Sequence, residues 1–374
     1  MRMFALLPVI AAAALLLAAS AVFSGCYTLK QGTALLGYLG RAVPLETLLD
    51  DAPAGEPGSQ AADVHAADVH PADTSGAEEN RRFVERVQDI RRFALEELGL
   101  AATKNYTKYV AIDRDYLAVV VSASAADSFE RHEWRFPVVG PMPYKGFFNP
   151  ADARKEREKL ENRGLDVMIR GVDAFSTLGW FQDPLYSYMR AYPPERLADL
   201  LIHESLHATV FLKGRAQFNE ELAEFVGSEG ARLYMESRFG IDSEEYRRMT
   251  RAEADNAAFL AFIRELTGEL ETLYAGDDPK EEKLRKKEEI IGAAKIRFDE
   301  EYDRRFTGEN YRGLSAVRIN NAYLELFRLY YGGGDFYRDL YERSGRNLPR
   351  FIAAAKTLNR KGDPKKQLTQ ALGL

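Results

Sequence analysis

The chain has 374 residues, of which 46% are hydrophobic and 11% aromatic, so it can build one large domain or two ordinary ones around a substantial core. Its net charge of -6, without a dominant basic block, gives no electrostatic reason to expect a nucleic-acid partner. The single cysteine excludes an internal disulfide and a cysteine-based zinc cluster, so any metal ligands must come from His, Asp or Glu.

The N-terminus has the pattern of an exported protein. An apolar run covers residues 4–23 behind one basic residue, and small residues precede Cys26. This order of regions predicts a signal peptide over residues 1–25. A signal anchor that stays in the membrane is the alternative, because the run is about long enough to span a bilayer.

The residues around the cysteine resemble a bacterial lipobox. The tetrapeptide Phe23-Ser24-Gly25-Cys26 has the form in which the cysteine is lipidated and becomes the first mature residue. This resemblance implies stable membrane anchoring through Cys26. Tyr27 in the next position, where an acid is absent, implies the outer membrane. We therefore predict a lipid-anchored N-terminal segment over residues 26–50, amphipathic and packed against the body.

Residues 51–78 form a low-complexity stretch with the tandem repeat "AADVHAADVH". It is too poor in large apolar side chains to offset the entropy of ordering, so we predict a disordered insertion. His65 and His70 lie in it. Metal scavenging by these two histidines is the less favoured alternative to no role.

The remaining chain predicts an α+β body over residues 79–374, mostly helical with a small N-terminal sheet. Apolar residues at helical spacing predict a helix over Glu79–Leu100, and a Val- and Tyr-rich stretch predicts two strands around Asp113–Asp115. A loop rich in Pro and Gly, a charged helix over residues 150–162 and a further strand follow. Helical patterns then predict a subdomain over residues 230–374.

The stretch "ERLADLLIHESLHATVFLKG" predicts a helix that starts at Pro193-Pro194 and ends at Gly214. On such a helix, His203 and His207 lie one turn apart on one face, so both imidazoles can bind one zinc ion. Glu204 lies beside them without being a ligand. A carboxylate in that position can take a proton from water and deliver it to a leaving amine.

Catalytic zinc normally takes three protein ligands, so a third ligand must be found. His132 lies far upstream in a polar loop, which favours an acid of the next helix. That helix carries four candidates: Glu220, Glu221, Glu224 and Glu229. Asn219 is a good N-cap for it, and Glu220 and Glu224 share one face. The choice between these two acids stays open on the residues alone.

The alternative is that the two histidines arose by chance on an amphipathic helix, or belong to a decayed site. Against it, polar residues at 203, 204 and 207 interrupt an otherwise apolar run, and the acidic helix follows after one turn. Buried charges without a metal would be costly there.

Two resemblances extend this interpretation. His203-Glu204-x-x-His207 followed by Asn219-Glu220-x-x-Ala223 resembles the gluzincin arrangement, which implies Glu220 as third ligand. The wider chain is similar to the bacterial family of putative aminopeptidase lipoproteins over most of residues 85–330, through segments in that family's order: "IRRFALEELGL", "NYTKY", "WRFPVVGPMPYKGFF", "DVMIRGVDAFSTLGWFQDPL", "LIHESLHATVF", "FNEELAEFV" and "INNAYL".

The family resemblance implies a zincin-like metallopeptidase fold, one Zn²⁺ per chain and a peptide substrate. The Gly-x-Met-x-Asn signature of well-known gluzincin aminopeptidases is absent, so exopeptidase and endopeptidase action both stay open.

"DAFSTLGWFQDP" is a candidate substrate-binding edge, because an extended segment just upstream of the zinc helix can pair with a peptide backbone. The segment supplies Ser176, Thr177, Leu178 and Gly179, and a core loop with a buried Trp180 is the alternative. For stabilising the transition state, the candidates are Tyr330, Tyr331 and Arg318. Asn320 and Asn321 are expected to cap or cross-link helices.

The sequence therefore predicts a zinc metallopeptidase anchored in the cell envelope, in an outer membrane facing the periplasm or the cell surface. Two other functions stay open. One is a non-catalytic binding or scaffolding lipoprotein that keeps the metal site for structure. The other is a zinc hydrolase of cell-wall peptides.

Overall fold

The computed structural model describes residues 27, 31–50, 71–136, 140–172, 183–328 and 333–374. Several predicted sites lie outside these ranges: Cys26, His65, His70, residues 176–180, Tyr330 and Tyr331. The body of the protein and both helices of the predicted metal site lie within them.

Within the described ranges the protein is mostly helical. The helices are α1 (31–39), α2 (Pro71–Glu96), α3 (Pro150–Glu161), α4 (Pro194–Thr209), α5 (Ala216–Phe239), α6 (Glu244–Ala275), α7 (Lys280–Arg305), α8 (Asn321–Arg328), α9 (Gly333–Arg343), α10 (Leu348–Ala355) and α11 (Pro364–Ala371). The strands are β1 (Val43–Pro44), β2 (Lys108–Val110), β3 (Ala118–Ala125), β4 (Trp134–Phe136), β5 (Gly140–Met142), β6 (Tyr144–Phe147), β7 (Leu165–Val172) and β8 (Leu185–Tyr186). This content is compatible with an α+β fold.

The main sheet has the order β6-β3-β7, with both pairings antiparallel. Its central strand β3 reads "AVVVSASA" and is largely buried, as β-branched residues in a covered strand should be. Val120 lies opposite Gly146 of β6 and Arg170 of β7. Smaller sheets join β1, β2 and β8, and β4 with β5.

The helical C-terminal half does not form one subdomain from residue 230. That boundary falls inside α5, which runs without a break from Ala216 to Phe239. One core joins α2, α4 and α5 with α9–α11, whereas a second core forms within α6–α8. The correction follows from packing, because helices late in the chain return to the first core.

A buried ion pair connects the second core to the main sheet. Lys287 of α7 is 2% exposed, and its Nζ lies 2.7 Å from Oδ2 of Asp166 on β7. The amides of Asn320 and Asn321 donate to backbone carbonyls of Val167 and of Ala125, respectively. Oδ1 of Asn320 accepts a hydrogen bond from the backbone nitrogen of Tyr323, and Oδ1 of Asn321 accepts one from the hydroxyl of Tyr274 on α6. The prediction that the two asparagines cap or cross-link helices is confirmed.

The helix before the first long strand begins earlier than predicted. It starts at Pro71 rather than Glu79, so residues 71–78 are helical and do not belong to a disordered insertion. Proline fits the first turn of a helix, and the alanines and glutamates that follow are helix formers. No helix within the described ranges has the length and apolarity needed to cross a membrane.

Residues 31–50 pack against the body. Leu45 is 1% exposed, β1 pairs with β2, and the hydroxyl of Tyr38 accepts a hydrogen bond from Arg114.

Candidate metal centre

Helix α4 carries the two histidines and begins where the sequence predicts, after Pro193. It ends at Thr209, five residues before the predicted end at Gly214, because Val210 is extended with φ -133°. Val210 and Leu212 are buried in the first core, so tertiary packing draws these apolar side chains out of the helix. The connection to α5 is therefore a six-residue loop that starts extended and turns at Lys213–Gly214.

The prediction that Asn219 caps α5 is wrong, because α5 begins three residues earlier at Ala216. Its side chain is 2% exposed, accepts a hydrogen bond from the backbone nitrogen of Leu212 and donates one to the Leu212 carbonyl, each 3.0 Å long. These two hydrogen bonds connect the loop to the first turn of α5. It thereby fixes the part of the helix that carries Glu220.

His203, His207 and Glu220 converge between α4 and α5. The two Nε2 atoms are 3.2 Å apart, and the imidazoles pack edge to face. Oε2 of Glu220 lies 3.7 Å from Nε2 of His203, and its Oε1 lies 3.5 Å from Nε2 of His207. Among the described residues, these three side chains form the group of His, Asp and Glu with donor atoms close enough to share a metal ion.

The spacing of these donor atoms suits zinc. Zinc binds His nitrogen and carboxylate oxygen at about 2.0–2.1 Å, so two ligands at a tetrahedral angle lie about 3.3 Å apart. The 3.2 Å between the two Nε2 atoms lies near that value, and each Nε2 has a different oxygen of Glu220 at 3.5 or 3.7 Å. With one donor atom per residue, the three atoms all lie within 4.8 Å of one another. The two distances from Glu220 exceed ordinary hydrogen-bond lengths, so the carboxylate faces a common point rather than bonding to one imidazole.

Proximity to the imidazoles stabilises the ionised form of Glu220. The neighbouring His203 and His207 rings lower the pKa of Glu220 to about 2, so this carboxylate is ionised at neutral pH. Burial acts to lower the pKa of His203, but the Glu220 carboxylate and the charges of Glu204 and Asp199 outweigh burial and raise it. The site is therefore electrostatically prepared for a cation.

Glu204 is half-buried and lines a pocket of about 190 Å³ together with His203. Tyr106 lies nearby with a left-handed φ of 60°, and burial together with the charge of Glu204 raises the pKa of its hydroxyl. A non-glycine residue in this conformation is costly unless its surroundings impose it. Glu204 therefore lies next to His203 on α4 without belonging to the three-donor group.

Other predicted residues lie elsewhere. Glu224 is one turn further along α5 and is not part of the three-donor group. His132 packs edge to face against Trp134, and Arg318 pairs with Glu161 of α3 at 3.0 Å. Residues 176–179 and Tyr330 lie outside the described residues, so the predicted substrate edge stays a prediction.

Sequence reasoning missed two side chains near the site. Asp199 lines the same pocket as Glu204 and lies one turn before His203, a spacing that could have indicated it. Tyr144 of β6 is the other. Burial and the charge of Glu220 raise the pKa of its hydroxyl, which places it near that acid. No local pattern indicates Tyr144, because β6 and α5 are far apart in the chain.

Close contact between α4 and α5 depends on two glycines. A Cβ added at Gly227 would lie 2.5 Å from Oδ1 of Asp199 and 3.1 Å from Cβ of His203. A Cβ at Gly230 would lie 2.9 Å from Cγ2 of Ile202. The distances of 2.5 Å at Gly227 and 2.9 Å at Gly230 are shorter than normal packing permits. The two helices can therefore approach closely enough for the histidines to lie near Glu220 because α5 has no side chain at these positions.

We expect Gly227→Ala to lower the free energy of unfolding by about 1–3 kcal/mol, since the added methyl group overpacks the contact between the helices. Gly268→Ala is the matched control, because Gly268 lies inside α6 with open space around its Cα. That variant should gain about 1 kcal/mol from helix propensity. Denaturant unfolding measures both; equal stability of the two variants would contradict the close contact.

No curated protein and no solved structure matched the chain. A family described as "Putative aminopeptidase" matches residues 27–372, a range that includes α4, α5 and nearly all of the chain after Cys26. Its description suggests a peptidase. On this match, the chain belongs to the putative aminopeptidase family.

Proposed function

We propose that the protein is a zinc-dependent peptidase with a zincin-like, gluzincin-type site. One zinc ion per chain would be held by His203, His207 and Glu220. The observation that carries this proposal is the convergence of His203, His207 and Glu220, whose donor atoms, one per residue, all lie within 4.8 Å of one another, with Glu204 on the next position of the same helix as His203. Membership of a family described as aminopeptidases supports the reaction class.

When bound, zinc supplies a Lewis acid that acidifies water and polarises a peptide carbonyl. The chain's own contribution is proton transfer. The Glu204 carboxylate takes a proton from the attacking water as the carbon–oxygen bond forms. It then delivers that proton to the nitrogen of the leaving amine as the peptide bond breaks, so Glu204 returns to its starting state.

We further propose that the protein works in the cell envelope, anchored through lipidated Cys26 in an outer membrane and facing the periplasm or the cell surface. The support is the apolar N-terminal run followed by the tetrapeptide Phe23-Ser24-Gly25-Cys26. Globomycin treatment of producing cells tests this, because a lipoprotein precursor should accumulate in the wild type, whereas a Cys26→Ala variant should have the same size with and without the drug.

Metal removal tests the proposed activity. Dialysis of the purified protein against a zinc chelator should lower the hydrolysis of a mixed peptide library by at least about 100-fold, since both Lewis-acid effects are lost. One equivalent of zinc should restore hydrolysis, while an equal amount of magnesium should not, because His nitrogens suit zinc.

Circular dichroism of the metal-free protein is the control for folding. Hydrolysis that persists without metal would contradict the proposal. A protein that unfolds on chelation and cleaves no peptide in either state would support the alternative of a structural metal site.

A further inference from the structure

A pocket extends from the candidate metal centre along α4. Its lining residues are Tyr192, Arg196, Asp199, Leu200, His203 and Glu204. Arg196, Asp199 and His203 occupy successive turns of one helix face, so the pocket runs for about 10 Å from the candidate base toward the N-terminus of α4. A group attached to a peptide bound beside Glu204 can enter it directly.

Asp199 is the acid in the wall of this pocket. Its carboxylate makes no hydrogen bond and no ion pair with any side chain or backbone group in the described ranges. Its Oδ1 lies over Gly227, which leaves room for it between α4 and α5. Burial raises the pKa of Asp199 to about 6, and the nearby His203 acts against this rise. A partly buried carboxylate without a partner is costly to keep.

Three other acids on these two helices have basic partners. Glu195 lies 3.6 Å from Arg248, Glu221 lies 2.8 Å from Lys365, and Glu229 is paired with Arg232. Asp199 differs from these three acids, because no basic side chain of the described residues, Arg196 of the same pocket included, forms an ion pair with it.

The charges around the pocket favour binding of a positively charged group over a negatively charged one. Burial raises the pKa of Glu224 to about 7; His203 acts against this rise, and the charges of Asp199 and Glu220 add to it. The guanidinium of Arg196 lies 4.0 Å from the ring centroid of Tyr192, an interaction that already engages this cation at the outer end of the pocket.

We infer that this pocket is a subsite for a positively charged group of the peptide substrate, with Asp199 as its counter-ion. The inference rests on the proposed peptidase function and adds a substrate class to it. Two sources carry the same chemistry: the α-ammonium of a free N-terminus, and the side chain of a lysine or arginine next to the cleaved bond. In both, the cation would form a charge-assisted hydrogen bond with the Asp199 carboxylate.

Two matched pairs of peptides test the inference with the zinc-loaded protein. One pair differs only in a free or acetylated N-terminus, and the other in lysine or norleucine beside the cleaved bond. We expect the wild type to prefer the cationic member of at least one pair in kcat/KM. We expect Asp199→Asn to remove that preference by lowering kcat/KM for the cationic member about 10- to 100-fold, with the neutral member changed less than about threefold.

Glu195→Gln is the matched control, because Glu195 is an acid of the same helix outside the pocket, and this variant should keep the preference.

The pair of peptides that responds identifies the source of the cation. Equal use of both members by the wild type, or a preference for anionic peptides, would overturn the inference and leave the peptidase function standing. The inference would also be overturned if Asp199→Asn lost zinc and lowered kcat/KM equally for all peptides, because this result would indicate that Asp199 positions His203. No cleavage of any peptide by the zinc-loaded wild type would instead overturn the proposed function, and the inference with it.

Discussion

Glu204→Gln is expected to lower peptide hydrolysis by about 10²- to 10⁴-fold while the protein keeps one zinc ion per chain. The amide has nearly the shape of the carboxylate but cannot accept the proton of the attacking water. Glu204 is not one of the three converging donors, so the metal ligands stay intact in this variant. A large loss of kcat without loss of zinc is the signature of a general base.

The measurements are kcat on the best peptide and zinc content by elemental analysis, each on the same preparation. Glu195→Gln is again the control, because it makes the same chemical change on α4 beside Arg248 rather than at the metal centre. Full activity of Glu204→Gln would exclude Glu204 as the base. Loss of zinc in this variant would show that Glu204 acts as a ligand instead.

Glu220→Ala is expected to weaken zinc binding by more than about 100-fold, since even residues that only orient metal ligands typically contribute 10- to 100-fold. Two oxygens of Glu220 lie 3.5 and 3.7 Å from the Nε2 atoms of the two histidines. With alanine there, two imidazoles alone would hold the ion. Hydrolysis should fall with zinc occupancy and recover in part at high zinc concentration.

Glu224→Ala is the matched control, because it removes the same group one turn further along α5. Zinc titration by competition with a chromophoric chelator measures the dissociation constant of each variant. We expect Glu224→Ala to bind zinc as the wild type does. The opposite order, with weak binding in Glu224→Ala and normal binding in Glu220→Ala, would assign the third ligand to Glu224.

The sequence was sufficient for what depends on local pattern. The i, i+4 spacing of His203 and His207 places both imidazoles on one helix face wherever the helix ends, and the structure brings them within 3.2 Å. The predicted end of α4 was wrong, because Val210 is extended and both Val210 and Leu212 are buried in the first core. Propensity cannot detect a partner that lies elsewhere in the chain.

The contacts between α4 and α5 likewise could not be predicted from the sequence. Asn219 has the residue type of an N-cap, but its side chain binds Leu212 across the loop. In the sequence Gly227 resembles any helix glycine; only the structure shows that a Cβ at this position would lie 2.5 Å from Oδ1 of Asp199 on α4. Asp199 becomes notable only when its carboxylate is seen to have no ion-pair partner among the described residues. Each of these features arises from the packing of α4 against α5, which no single helical pattern contains.

Anomalous diffraction from crystals of the zinc-loaded protein, recorded above and below the zinc absorption edge, tests the central claim most directly. We expect one strong zinc peak per chain between α4 and α5, at about 2.0–2.2 Å from Nε2 of His203, Nε2 of His207 and a carboxylate oxygen of Glu220. A peak held by other residues, or no peak at these three side chains at saturating zinc, would contradict the proposed metal centre.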